Sequence, residues 1–233
     1  MTMSYYPIFL NLANRRCLVV GGGEVACRKA ARLVRCGSKV VVVSRFLVPE
    51  LEQMKKKGDI DHIDDDYRSE YIKDAVFLIG ATDVVEVNSK IYEDGEKRGL
   101  LVNIVDNPSL CNCILPSSFQ QGELTVAVST GGKSPALAKR IRQEIEKNYG
   151  SEYAGLIEIM GILRQKVSAR KMSSSKNRLL YESVLDSGLL ELIRKKDVDA
   201  IIEKIVELTG EKMDRSQIQD ILSHEMLPDY AGE

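Results

Sequence analysis

The stretch Cys17–Ser44, CLVVGGGEVACRKAARLVRCGSKVVVVS, decides the fold class. Cys17–Val20 is a short apolar run stopped by three glycines, as a buried strand entering a tight turn should be. Ala26, Ala30, Leu33 and Val34 then recur at helical spacing, and Gly37 closes that helix. Val40–Val43 is β-branched throughout, which suits a parallel strand covered on both faces. Strand, helix and strand make one βαβ unit. Within it Gly21, Gly23 and Ala26, with Gly22 between the glycines, fit G-x-G-x-x-G/A. The first glycine allows the tight turn and the second lets backbone approach a pyrophosphate. The small third residue lets helix pack on strand, and the helix N-terminus faces the anion. Set between a strand and a helix, the motif points to a dinucleotide. A glycine turn in another α/β fold, or a different adenosyl ligand, fits the same residues. One element departs from the pattern. An acidic residue is expected roughly 20 residues past the motif to hold the adenosine ribose, yet the second strand ends in Ser44-Arg45-Phe46. Ser44 can bond a ribose hydroxyl, whereas Arg45 can meet a 2′-phosphate, so chemistry alone leaves NAD and NADP open.

Outward from this unit the alternation continues. The sequence predicts a helix over Val48–Lys57, a strand over Ile60–Ile63, a strand over Val76–Gly80, a helix over Val87–Arg98 and a strand over Leu100–Val105. Upstream, Tyr5–Leu12 reads as a short strand or extended lead-in that packs Ile8, Phe9 and Leu10 on the sheet. Alternating strands and helices imply a parallel sheet with right-handed crossovers, and ligands of such sheets lie beyond the C-terminal strand ends. Gly21, Ser44, Thr82 and Asp106 all fall at such ends. After Asp106 the pattern changes. A strand is predicted over Leu124–Val128 and a helix from Ala136 to about Tyr149, with Ser134 as N-cap and Pro135 in its first turn. Beyond Ser151 only helices are expected, over Tyr153–Val167, Lys176–Leu185, Leu189–Lys195, Val198–Leu208 and Ser216–Leu222, with Ser173–Ser175 in the most linker-like stretch. The fold class is therefore α/β. A Rossmann-type domain over 1–112 precedes a small α+β region over 113–150 and a helical region over 151–233.

Bulk properties narrow the partners. Lys plus Arg total 33 against 34 Asp plus Glu, a net charge of −1, so nucleic acid and membrane surfaces are not indicated. No apolar run approaches the ~20 residues of a membrane span, and MTMSYYPIFLNL lacks the form of a signal peptide, so a cytoplasmic protein is expected. Five scattered cysteines fit reduced thiols. Cys111-x-Cys113 does not have zinc spacing, and His62 and His224 have nothing fixing them beside it, so no metal site is predicted. Three adjacent acids, Asp64–Asp66, read as a solvated loop.

Two places carry chemistry. Asp106 follows a buried strand and precedes a proline turn, on the edge where a cofactor belongs. There a carboxylate can take a proton from a substrate while hydride leaves to nicotinamide; a turn-forming or capping Asp fits the same position. The loop Ser129–Pro135 offers backbone N–H groups, the hydroxyls of Thr130 and Ser134, Gly131 and Lys133 at a helix start. That suits an anion, and Lys139, Arg140 and Arg142 follow; a plain helix cap beside solvated basic residues is the alternative.

Five segments, in order and spacing, resemble the precorrin-2 dehydrogenase family, the N-terminal module of sirohaem synthases. They are Tyr6–Phe9, the run from Cys17 to Ala30, GATD from Gly80, NIVDNPSLCN from Asn103, and VSTGGKSPALAKRIR over Val128–Arg142. The resemblance spans about 6–150 and is looser beyond, where it implies a helical dimerisation and substrate-covering region. It implies NAD-dependent oxidation of precorrin-2 to sirohydrochlorin by a homodimer. In some members Fe²⁺ is a further substrate, inserted to give sirohaem. Glu24 and Val25 match contacts beside the glycines, and Arg45 and Phe46 match contacts on the ribose side. Asp106 matches the aspartate needed for dehydrogenation, and Thr130 stands where some members carry a serine in the tetrapyrrole pocket. The family's preference implies NAD rather than NADP. No methyltransferase sequence follows, so uroporphyrinogen methylation is expected from another protein. A nucleotide-sensing regulatory module without chemistry is the competing class; the Asp106 turn and the STGGKSP loop favour the enzyme.

Overall fold

The computed structural model describes residues 5–168 and 173–223. His224, weighed above as a metal ligand, lies outside them. The chain forms two compact units, the first running through Leu115 and the second holding Pro116–Thr130 and the chain from Ser134 on.

The first unit contains β1 (Arg16–Val20), α1 (Glu24–Arg35), β2 (Lys39–Val43), α2 (Pro49–Lys57), β3 (Ile60–Ile63), β4 (Phe77–Gly80), α3 (Val85–Glu96) and β5 (Leu101–Ile104). The strands form one parallel sheet in the order β3-β2-β1-β4-β5. The chain winds outward from β1 to β3 and returns on the other side at β4, so strand order reverses between β1 and β4. In doubly wound sheets ligands lie beyond the strand ends at that reversal. The central strands are buried on both faces. Cys17, Val19, Val40 and Val42 pack with Ala26, Ala30 and Leu33 of α1 and Leu51 of α2. Leu18, Val20, Val41 and Val43 pack with Ile72 and with Ile91 of α3. Full burial of an Ile such as Ile91 is worth about 1.5–3 kcal/mol, so these layers hold the sheet edge in place. At the end of α1 the Gly37 N–H bonds to Val34 O at 2.8 Å and the Ser38 N–H to Leu33 O at 3.2 Å. With Gly37 at φ 70° this is a Schellman ending.

The lead-in does not behave as expected. No strand forms over Tyr5–Leu12, and Ile8, Phe9 and Leu10 are exposed; only Leu12 enters the core. The reason is topological: β1 already pairs with β2 on one side and β4 on the other, so no place beside it remains.

The second unit holds β6 (Ser117–Gln121), β7 (Leu124–Val128), α4 (Pro135–Asn148), α5 (Glu152–Ser168), α6 (Ser174–Leu185), α7 (Leu189–Arg194), α8 (Val198–Thr209) and α9 (Arg215–Ser223). β6 and β7 form an antiparallel hairpin against which α4 packs. Ser174 and Ser175 belong to α6 rather than to a linker, because the helix starts there. Leu156, Ile159 and Leu163 of α5, with Met160 beside them, pack on Ile193, Ile201, Ile205 and Ile218. The apolar stripe of α5 is thus used inside the chain and supplies no argument for a dimer.

Candidate functional site

The β1–α1 turn is shaped by backbone contact. Gly21 has φ 126°, and a Cβ on it would lie 2.2 Å from the carbonyl oxygen of Ala81 at the exit of β4. A Cβ on Gly22 would lie 1.8 Å from the oxygen of Phe46 and 2.6 Å from Ser44 Oγ, at the exit of β2. The Val48 N–H bonds to Gly22 O at 2.9 Å and the Gly21 N–H to Val43 O at 2.9 Å. The fold therefore draws Gly21, Gly22, Ser44, Phe46 and Ala81 together at the strand ends. Gly23 differs. A Cβ there would meet nothing within 4 Å, and as N-cap of α1 Gly23 supplies no side chain to the first-turn N–H groups. Open space in front of an uncapped helix start fits an anionic group. These residues therefore fit a dinucleotide: backbone packing makes Gly21 and Gly22 obligatory, and the space at Gly23 is wide enough to admit an anionic group.

Around this turn Glu24 is exposed and Val25 half-buried. Phe46 is 64% exposed, a bare aromatic face beside the turn. Ser44 is steadied by His62, whose Nε2 donates to Ser44 O at 2.9 Å while Lys55 Nζ donates to its Nδ1 at 3.1 Å. His62 thus serves the exit of β2. Arg45 ion-pairs with Asp65 at 2.6 Å and Asp66 at 3.3 Å. This corrects the reading of Asp64–Asp66 as a solvated loop: Asp64 and Asp66 are exposed, but the Asp65 side chain is only 15% exposed. The Tyr71 hydroxyl, donating to Asp65 at 2.5 Å, holds that carboxyl below the usual carboxylate range, and Arg68 and Arg45 add to the effect against partial burial. Thr82 stands past β4, but its hydroxyl is engaged locally. It accepts from the Val84 N–H at 3.2 Å and faces Asn88 Oδ1 at 3.0 Å.

Asp106 lies two residues past β5, exposed, with φ 57°. Neighbouring strands are about 4.8 Å apart, so Asp106 lies two strand spacings from the glycine turn on one sheet edge. Left-handed backbone is uncommon outside glycine and best tolerated by Asn and Asp. The turn is clasped by Cys111. Its Sγ accepts from the Ile104 N–H at 3.2 Å and stands 3.3 Å from Ile104 O and 3.2 Å from Asn107 O. One thiol thus bonds on both sides of Asp106. Burial pushes the Cys111 thiol up, and pushes Cys113 up to about 11, so both remain protonated near neutrality. Asn112 then imitates a sixth strand, with Oδ1 accepting from the Val102 N–H at 2.7 Å and Nδ2 donating to Leu100 O at 2.7 Å.

In the loop before α4, Thr130 Oγ1 accepts from the Ser134 N–H and faces Ser134 O, both at 3.0 Å, and Ser134 Oγ caps the Leu137 N–H at 3.3 Å. Both hydroxyls expected to meet an anion are thus engaged within the loop. Gly131 and Lys133 are exposed. Arg142 is not a solvated base: its side chain is 6% exposed and paired with Glu146.

Asp65 as partner of Arg45, Cys111 as clasp of the Asp106 turn and His62 as support of Ser44 emerge only from the fold. The register offered one signal. Val43 pairs with Ile63, which puts Arg45 and Asp65 equally far past paired strand ends.

Fold and strand-edge geometry define an NAD(P)-binding protein of Rossmann type. An NAD(P)-binding family model matches residues 8–117, and the model described as sirohaem biosynthesis protein, central, matches residues 121–148. The chain is homologous to the siroheme synthases. It is 37% identical to siroheme synthase of Nitrosospira multiformis over 195 residues, which are 82% of this chain and 41% of that protein. With siroheme synthase of Photobacterium profundum identity is 34% over 217 residues, 93% of this chain and 46% of the relative. The chain thus spans less than half the length of these relatives. Among solved structures, SirC, a precorrin-2 dehydrogenase, superposes with a TM-score of 0.73 at 26% identity, covering 89% of this chain and all of SirC.

Proposed function

We propose that this chain oxidises precorrin-2 to sirohydrochlorin with NAD as the coenzyme. The observation that carries this reading is Asp106, an exposed carboxylate in a left-handed turn on the same sheet edge as the uncapped start of α1. Gly21–Gly23 with Glu24 and Val25 would hold the pyrophosphate, and Ser44, Arg45 and Phe46 the adenosine side, with Thr82 lining the edge. When bound, nicotinamide supplies the acceptor for a hydride. Precorrin-2 loses two hydrogens, so a proton must leave as well. Asp106 accepts that proton through its carboxylate oxygen, and the Cys111 clasp holds the backbone turn that carries it. Exposed Lys133 pairs with a substrate carboxylate, and Gly131 gives it backbone access. Thr130 and Ser134 shape that loop from within. The names of the siroheme synthase relatives and of SirC support this substrate. Mixing protein, precorrin-2 and NAD anaerobically should give stoichiometric NADH and sirohydrochlorin. NAD binding without turnover would favour a nucleotide-sensing module.

The siroheme synthase relatives also support Fe²⁺ as a substrate, inserted into sirohydrochlorin to give sirohaem. The same assay continued with Fe²⁺ should then show the sirohaem spectrum, and its absence limits the chain to dehydrogenation. We place the protein in the cytoplasm as a homodimer, on its resemblance to the family. Among the described residues no helix is long and apolar enough to cross a membrane. A monomeric mass by light scattering at micromolar protein would reject the dimer.

A further inference from the structure

An arginine just past the second strand of a dinucleotide-binding sheet ordinarily accommodates a 2′-phosphate. Arg45 has that position, yet its guanidinium is already occupied. Nη2 lies 2.6 Å from Asp65 Oδ1 and 3.3 Å from Asp66 Oδ2, and Nη1 reaches Asp64 O at 3.5 Å. Asp65 is itself fixed by the Tyr71 hydroxyl at 2.5 Å and by Arg68 at 3.0 Å. The β2–β3 register, Val43 opposite Ile63, brings Arg45 and Asp65 side by side. The Ser44–Phe46 segment is tied to the glycine turn, since the Val48 N–H bonds to Gly22 O at 2.9 Å and Phe46 O packs where a Gly22 Cβ would stand. Asp65 and Asp66 thus hold Arg45 through their carboxylates, Asp64 meets it through its backbone oxygen, and Arg68 joins Asp65 at this corner. A phosphate monoester carries about −1.5 to −2 charge at neutral pH. To bind one, Arg45 would have to leave Asp65, and the phosphate would then sit beside the three acids. A free 2′-hydroxyl imposes neither requirement.

Resting on the coenzyme reading above, we propose that Asp65, by holding Arg45, makes this site reject a 2′-phosphate and so selects NAD over NADP. Asp65 stands in for the acidic residue missing from the end of β2, acting through the arginine rather than on the ribose. The test is calorimetric titration of the intact chain with NAD and with NADP, which reads binding without turnover. Wild type should bind NAD at least about tenfold more tightly, a difference of about 1.4 kcal/mol. Asp65→Asn should tighten NADP about tenfold and leave NAD within about threefold, on the scale of a released charge pair. Asp65→Glu should keep the wild-type preference, and Arg45→Ala added to Asp65→Asn should erase the NADP gain. Asp66→Asn, on an exposed side chain that folding does not need, should shift NADP the same way by about two- to threefold. It decides the matter if Asp65→Asn fails to fold. Unchanged NADP affinity in the folded variants, or a gain that survives removal of Arg45, overturns the proposal and leaves the coenzyme site standing. A wild type that binds neither coenzyme overturns both.

Discussion

Two of the turns by which the chain leaves the C-terminal edge of the sheet are built by opposite means. At the β1–α1 turn, glycines press against neighbouring backbone, and the helix start beyond them lacks a side-chain cap. At the β5 turn a non-glycine residue, Asp106, adopts left-handed backbone and the surrounding groups are bonded, largely through the Cys111 thiol. The first turn leaves donors and space unfilled and is suited to binding. The second fills its own hydrogen bonds and exposes one carboxylate, which suits proton transfer. Positive φ alone does not separate a binding turn from a chemical one; the fate of the nearby donors does.

The largest effect should come from the first turn, and neighbouring glycines should behave differently. Gly22→Ala puts a methyl group against Phe46 O and should cost about 3 kcal/mol or more in urea unfolding. Gly23→Asp should fold and even gain a few tenths of a kcal/mol, since Asp is a better N-cap than Gly. Its carboxylate would occupy the first-turn N–H groups and repel pyrophosphate, so NAD affinity should fall about 100-fold or more. Equal stability losses at the two glycines, or unchanged NAD binding in Gly23→Asp, would break the contrast between structural and ligand-facing glycine.

At the second turn, Asp106→Asn retains a residue that tolerates φ 57°. It should keep NAD affinity and lose about 100-fold in dehydrogenation rate, the scale of lost general-base help. Normal turnover would reduce Asp106 to a turn residue. Cys111→Ala should have a smaller effect, destabilising by about 1–2 kcal/mol through unpaired backbone groups and lowering kcat several-fold with NAD affinity intact. Cys111→Ser should recover much of that kcat. If stability falls and kcat does not, the clasp supports the fold without positioning Asp106.

The contrast between the turns was only partly legible in the sequence. Apolar runs and helical spacing gave the parallel sheet, because β1, β2 and β4 are buried on both faces and therefore uniformly apolar. The glycine turn was legible because its chemistry is local. β6 was not: SSFQQ buries only Phe119 deeply and owes its pairing to β7, although Gly122 in the two-residue connection was a hairpin signal. The Arg45–Asp65 pair joins residues 20 apart and needs the β2–β3 register. Cys111 looked like one of five unremarkable thiols, since its role depends on carbonyls that only the folded turn presents. The partners of the apolar α5 stripe were not legible, because they lie on α7, α8 and α9, well downstream.

The smallest effect belongs to a control remote in sequence from both turns. Glu152, in the first turn of α5, ion-pairs with Arg194 of α7 at 2.7 Å, and Arg194 also holds Glu191 at 2.9 Å. Burial pushes the Glu152 carboxyl up, but the Arg194 hydrogen bond and charge, together with backbone N–H bonds, outweigh it and hold the group below its ordinary value. A carboxyl whose folded pKa is depressed contributes stability above its unfolded value, about 4.3 for Glu. That contribution is lost as pH falls through the lower folded value. Glu152→Gln should therefore be less stable than wild type by up to about 1 kcal/mol at pH 7. The gap should shrink as the pH is lowered from about 5 and close once both states are protonated. Urea midpoints across that range give the gap directly. NAD affinity and dehydrogenation rate at pH 7 should match wild type. If this variant loses rate as Cys111→Ala does, then modest loss of stability anywhere lowers turnover, and the special role given to the β5 turn falls.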